Sequence, residues 1–179
     1  METYRELKAF VANPGFQQQK QKVLAGLSDH SIDRPIVDLV NSYNRLQYCF
    51  TLQSCFGHFV YDDQPDRHNF EPLPGNKQIK GDIEYRIAYI AFCIEYSTPG
   101  KKLFDALQTI TAIDTRYVQF CCAQWFWDRQ VNSYALQVEP DRFKHRDTAL
   151  VEVSEALHIE KVRNEFFVRL NALRRAISV

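Results

Sequence analysis

Three side chains able to do chemistry fall within five residues of one another: the Ser54 hydroxyl, the Cys55 thiol and the His58 imidazole, with Gly57 between the last two. Cys55 and His58 have the types of a nucleophile and its base, although no orienting acid or oxyanion hole follows at a fixed spacing. Ser54 and the backbone N–H groups around Gly57 suit an anionic ligand group, since short loops with conformationally permissive residues aim N–H groups at anions. The plain alternative for Ser54 is a turn-capping hydroxyl.

A zinc set drawn from Cys49, Cys55, His58 and His68 is conceivable, because Cys-x-x-His is a usable ligand spacing. Structural zinc sites show two tight ligand pairs. The Cys49 pairing is loose, so no metal is expected. Further along, the turn Arg142-Phe143-Lys144-His145-Arg146 interleaves cations with an aromatic ring. RNA-contacting surfaces do the same, which makes Arg142, Lys144 and Arg146 the candidate nucleic-acid contacts against the ordinary reading of a solvated charge run. Trp125 and Trp127 flank Phe126 in a run with strand character. They would share a face there, as a stacking platform or as core.

The elements around the Ser54–His58 kernel are strands. Tyr48, Phe50 and Leu52 share one parity before it and Phe59 and Tyr61 share one after it, the period of a half-buried strand. Upstream, Thr3 and Glu6 form a capping box over a short first helix. Phe16 to Leu27 is a Gln- and Lys-rich second helix. Asp33 reads as the N-cap of a third, with Pro35 tolerated in its first turn and Ile36, Leu39, Val40 and Tyr43 at helical spacing.

Downstream, residues 62–82 hold three prolines and two glycines among charged and amide residues without periodicity. Long irregular loops inside a compact domain are uncommon and are usually functional or disordered. A lid over the kernel and a surface excursion are the two readings. Ile83 to Tyr96 alternates as a central strand. Thr98 and Pro99 open a helix, Arg116 to Trp127 is a second long strand and Ser133 to Glu139 a third. Ile159, Val162, Phe166, Leu170, Leu173 and Ile177 form the stripe of a long C-terminal helix, with Arg174 and Arg175 complementing its dipole. The order favours a single α+β domain over residues 1–179, with a mixed sheet packed by helices.

Composition sets the class. The 179 residues include 22 basic and 22 acidic side chains, so no net charge steers the whole molecule toward nucleic acid or acidic membranes. A hydrophobic share of 45% argues against disorder. Five cysteines, an odd number with no Cys-x-x-Cys, read as reduced thiols. With no apolar run of membrane-spanning length, the expectation is a cytoplasmic protein.

From the second helix to the kernel the chain resembles the N-terminal part of the third wybutosine-synthesizing enzyme family, which are tRNA methyltransferases. The resemblance runs through Asp33, the helix Ile36-Val37-Asp38-Leu39-Val40-Asn41-Ser42, then Tyr48 and Thr51, into Ser54-Cys55-Phe56-Gly57-His58. The family kernel reads Ser, Cys, a small residue, Gly, Arg. Here Phe56 is larger and His58 stands where the Arg should be. The family's later His has no counterpart, because its best slot holds Ala91.

The resemblance implies methyl transfer from S-adenosylmethionine to a ring nitrogen of a modified guanosine, with tRNA as partner. Ser54, Cys55 and Gly57 would bind the ligand. His58 would be the catalytic residue, since an imidazole takes up a proton near neutral pH. It cannot reproduce a bidentate guanidinium contact, so the second reading is a non-enzymatic oligomerising or protein-interaction protein on the same scaffold.

Overall fold

The computed structural model describes residues 4–64, 66–75, 79–144 and 146–177. Eight strands and five α-helices follow one another as β1 (Tyr4–Arg5), α1 (Phe16–Gly26), α2 (Val37–Asn44), β2 (Cys49–Cys55), β3 (His58–Val60), β4 (Ile83–Arg86), β5 (Ala88–Ile94), α3 (Thr98–Gln108), β6 (Val118–Ala123), α4 (Gln124–Arg129), β7 (Ser133–Val138), β8 (Thr148–Val151) and α5 (Val153–Ile177). The α+β class expected from the sequence is the class observed. The sheet differs: among the described residues there are two, a five-stranded one ordered β1-β6-β7-β5-β2 and a three-stranded one ordered β3-β4-β8.

Every described pairing is antiparallel. The strand-helix-strand order that suggested a mixed sheet is present, since β5 and β6 run the same way. However, β7 returns between them, so each pairs with β7 and not with the other.

Alternation along the strands places the two faces. Phe50 of β2 and Cys93 of β5 meet Phe16 of α1 on one side, whereas Cys49, Phe92 and Ile94 join the main core on the other. That core runs continuously through both sheets, α2, α3 and α5, with Tyr43, Tyr85, Phe92, Tyr134 and Phe166 buried within it. Lys20 of α1 is buried. Its ammonium donates to the carbonyls of Leu46 and Cys49, the latter at 2.9 Å.

Several local expectations give way to tertiary pairing. In place of a first helix, Tyr4 and Arg5 pair with Ala123 and Cys122 and cover the open edge of β6. Thr3 lies outside the described residues. The alternating run from Ile83 is broken at Ile87, whose N–H bonds to the Asp147 carbonyl at 3.4 Å, so that β4 and β5 serve different sheets. The Arg116–Trp127 run is extended only from Val118 to Ala123, then coils into α4. Trp125 and Trp127 therefore share no strand face. Trp125 lies 51% exposed under the Arg129 guanidinium, and Trp127 packs on Tyr134. The cap of α3 is Ser97 rather than Thr98, its hydroxyl accepting from the Gly100 N–H at 3.2 Å.

The junction of the two sheets fixes the site. Tyr85 of β4 donates its buried hydroxyl to the Val138 carbonyl of β7 and accepts the Ala88 N–H, both at 2.9 Å. Beside Val138 lies Glu139, fully buried, with only Gln137 donating to its carboxyl, at 3.0 Å. Its other oxygen has no partner among the described residues. No described helix is long and apolar enough to cross a membrane.

Glu139 makes stability fall with rising pH. Burial, aided by Asp147 and Asp141, pushes its carboxyl up to about 9 from an ordinary 4.5. The folded protein therefore holds a proton that the unfolded chain gives up earlier. Its contribution is full below the unfolded value and is lost as pH rises through the folded one. Glu139→Gln should raise the melting temperature more at about pH 9 than at about pH 5, as thermal unfolding across that window will measure. An equal effect at both ends would refute the assignment.

Candidate functional site

The kernel is the sharp passage from β2 in one sheet to β3 in the other. Gly57 turns it with φ of +90°, and a Cβ there would stand 2.8 Å from the Ala88 Cβ. Both the backbone angle and the close approach require glycine. Ser54 and Cys55 pair with Ile90 and Tyr89 of β5, and His58 pairs with Arg86 of β4.

Asp33 does not cap α2. Its carboxylate reaches across to the kernel instead, accepting the Phe56 N–H at 2.7 Å and lying 3.5 Å from His58 Nε2. The Cys55 sulfur accepts the Gly57 N–H at 3.4 Å. Partial burial alone would push the Asp33 carboxyl up, but hydrogen bonds from His58 and the Phe56 N–H outweigh it and hold the group below its ordinary value. Burial pushes the Cys55 thiol up to about 12, with the Asp33 charge adding to it and the Gly57 N–H opposing it.

Arg163 of α5 locks the turn from behind. Only 3% exposed, it donates Nη1 to the Gly57 carbonyl at 3.1 Å and lies over the rings of Phe56 and Phe59, at 4.3 and 5.1 Å. One turn earlier on the helix, Glu160 lies 3.6 Å from the guanidinium and accepts the Leu73 N–H at 2.9 Å. Residues 66–75 of the irregular segment are thereby pinned over the kernel, with the Phe70 ring 5.0 Å from that of His58 and 5.8 Å from that of Phe56.

In front of the kernel is a cleft of about 430 Å³ lined by Asp33, Gln53, Ser54, Cys55, Arg86, Ile87, Tyr89, Asp147 and Thr148. Ser54 and Cys55 thus stand on its wall. Gly57 is buried behind it. His58 is not a lining residue: its side chain is 12% exposed beneath Phe70 and meets the cleft through Asp33 and Cys55, which line it.

The basic turn leads straight into Asp147 on the cleft rim, but its charges are largely spent at home. Arg142 forks onto Glu155, with one N···O distance of 2.7 Å, and Lys144 lies 3.4 Å from Asp141. The Arg146 guanidinium is 5.9 Å from the Phe143 ring. His145 lies outside the described residues.

Sequence spacing missed Arg86, Tyr89, Asp147 and Arg163. Arg163 carried a signal, a cation inside the apolar stripe of the last helix. The others come from places remote in sequence, Arg86 from β4, Tyr89 from β5 and Asp147 from the bend before β8.

No protein-family model matches the chain, and no curated protein does. Among solved structures it is similar to the PH1069 protein from Pyrococcus horikoshii, seen in two structures at 13% identity. Their TM-scores are 0.46 and 0.45, covering 91% and 93% of this chain and 96% and 93% of those. A hypothetical protein from Aeropyrum pernix follows at 12% identity and TM-score 0.40, covering 81% of this chain and 96% of that one.

Replacing Arg163 by Met should keep most of the packing but leave the Gly57 carbonyl without its charged donor. A loss of about 2 kcal/mol is expected for a buried hydrogen bond to a charged group. Urea unfolding of Arg163→Met measures it, and a loss below about 0.5 kcal/mol would show the contact to be incidental.

Proposed function

We propose that the cleft in front of the kernel binds a nucleoside-like ligand, and that the chain is a diverged relative of the S-adenosylmethionine-dependent wyosine-tRNA methyltransferases. One observation carries this reading: Ser54 and Cys55, the part of the kernel that matches the family pattern, stand on the wall of a polar cleft of about 430 Å³. Ligand sites for small molecules run from about 300 to 1,000 Å³.

The lining suits S-adenosylmethionine. Tyr89 offers a ring to a purine face, Arg86, whose Nε is held by Glu84 at 3.1 Å, a guanidinium that a carboxylate would share, and Asp33 and Asp147 two carboxylates to cationic groups. When bound, S-adenosylmethionine supplies an electrophilic methyl group on a sulfonium. The chain's own task is to hold donor and acceptor in line and to exclude water. Asp33 is ionised and faces the cleft, while His58 stands behind it as a positioning residue. Arg146 and the exposed edge of the basic turn continue the rim toward a polyanion such as tRNA.

A second reading is favoured by different observations. His58 is packed beneath Phe70 away from the cleft wall, and Ala91 is fully buried in the slot that matches the family's later His. Both suit a non-enzymatic interaction protein that retains the scaffold alone.

Thermal unfolding in the presence of a chelator separates the two readings. A ligand at a hundred times its dissociation constant adds about 2.7 kcal/mol to stability. The expected result is a rise of several degrees with S-adenosylmethionine or its demethylated product, reduced by Arg86→Ala and by Ser54→Ala. No shift with either compound or with bulk tRNA would overturn the methyltransferase reading in favour of the interaction protein.

A further inference from the structure

We infer that Asp33, Cys55 and His58 form a binding site for a zinc-class divalent cation, with three protein ligands and a fourth position open to the cleft. The inference goes beyond the cleft ligand and does not rest on it. A carboxylate oxygen, a thiol sulfur and an imidazole nitrogen converge here from residues separated in sequence. All three lie within 4.8 Å of one another, with Asp33 Oδ2 to His58 Nε2 at 3.5 Å.

In a tetrahedral zinc site, bonds of about 2.0–2.3 Å set the ligand atoms roughly 3.3–3.7 Å apart. One edge of the triangle is already at that length. The others need to close by on the order of 1 Å, within reach of side-chain rotation.

The donor set selects the ion. Sulfur and imidazole together disfavour magnesium and calcium, which take oxygen ligands, and suit zinc or cobalt. Charge balances as well: the divalent ion meets one carboxylate, one thiolate and a neutral imidazole. On binding, the Cys55 S–H bond is replaced by a metal–sulfur bond and the proton leaves to solvent.

His58 Nε2 is the ring nitrogen that faces Asp33 and is the one offered to the ion. Nδ1, buried without a hydrogen-bond partner among the described residues, lies outside the triad. A further observation points to an open position. The Asp33 and Cys55 side chains line the cleft, which gives the fourth position access to water or to a ligand atom. That matches a three-ligand open site rather than a closed structural one.

Sequence spacing pointed elsewhere and led to an expectation of no metal. Cys49 is fully buried in the main core, and His68 is exposed, its ring 6.4 Å from that of His58. Neither belongs to the triad. Asp33, which spacing could not associate with Cys55, takes the third place.

Cobalt is the probe, because a thiolate–cobalt bond gives a charge-transfer absorption that oxygen and nitrogen ligands do not. The full chain, stripped with chelator, is titrated with cobalt(II) and then competed with zinc. One equivalent should bind, with the charge-transfer band appearing and then vanishing as zinc displaces it. Cys55→Ser should abolish the band, and His58→Ala should weaken binding at least a hundredfold. His68→Ala should leave both unchanged. Circular dichroism of each variant reports folding. Absence of the band in the unaltered protein would overturn the site whatever the variants do. So would a band retained in Cys55→Ser, or undiminished affinity in a folded His58→Ala. Because the thermal-shift experiment on the cleft is run in chelator, either result stands without the other.

Discussion

A guanidinium buried under two aromatic rings holds one carbonyl, and the geometry of the site depends on it. Arg163 donates to Gly57 at the point where the chain leaves one sheet for the other. The rings of Phe56 and Phe59 cover the cation, and Glu160 lies one turn away. A buried cation is costly unless its hydrogen-bonding groups are met. Here they are met by the kernel carbonyl and by Asn164. The contact welds α5 to the turn, and the turn cannot shift without exposing an unpaired charge. Through Glu160 the same helix ties down Leu73, so residues 66–75 over the kernel are part of one assembly.

On the opposite side the turn is held by Asp33 at the Phe56 N–H and by contact of Gly57 with Ala88. Ala88 is in turn fixed by Tyr85, which bonds both strands at the sheet junction. These restraints set Ser54 and Cys55 on the cleft wall and His58 beneath Phe70, with the Cys55 sulfur and the imidazole both facing Asp33. A five-residue motif is thereby divided between two environments, one open to ligand and one closed by packing, and Asp33 is the carboxylate that belongs to both.

Much of the fold is legible in the sequence because it depends on periodicity. The long final helix follows from its apolar stripe, and β2 and β5 from their alternation. What escapes is whatever another part of the chain decides. Residues 4 and 5 are drawn into a strand by the open edge of β6. Ile87 breaks an unbroken apolar pattern because Asp147 takes its N–H. The mixed sheet fails because nothing local says that β7 returns between β5 and β6. The candidate site follows the same rule. Ser54, Cys55, Gly57 and His58 stand out by type and spacing, but which face of the turn each occupies is set by Asp33, Ala88 and Arg163. Asp33 has the local signature of a cap, and only the folded chain shows that its hydrogen bond is made 23 residues away.

This turn is a rigid, preformed element and not a loop that orders on binding. Amide hydrogen exchange of the ligand-free protein tests that most directly. The N–H groups of Phe56, bonded to Asp33, and of Gly57, facing the Cys55 sulfur, should exchange as slowly as those of β5. Arg163→Met would then speed both while sparing the β5–β7 ladder. Exchange of Phe56 and Gly57 at the rate of an open loop in the unaltered protein would contradict it.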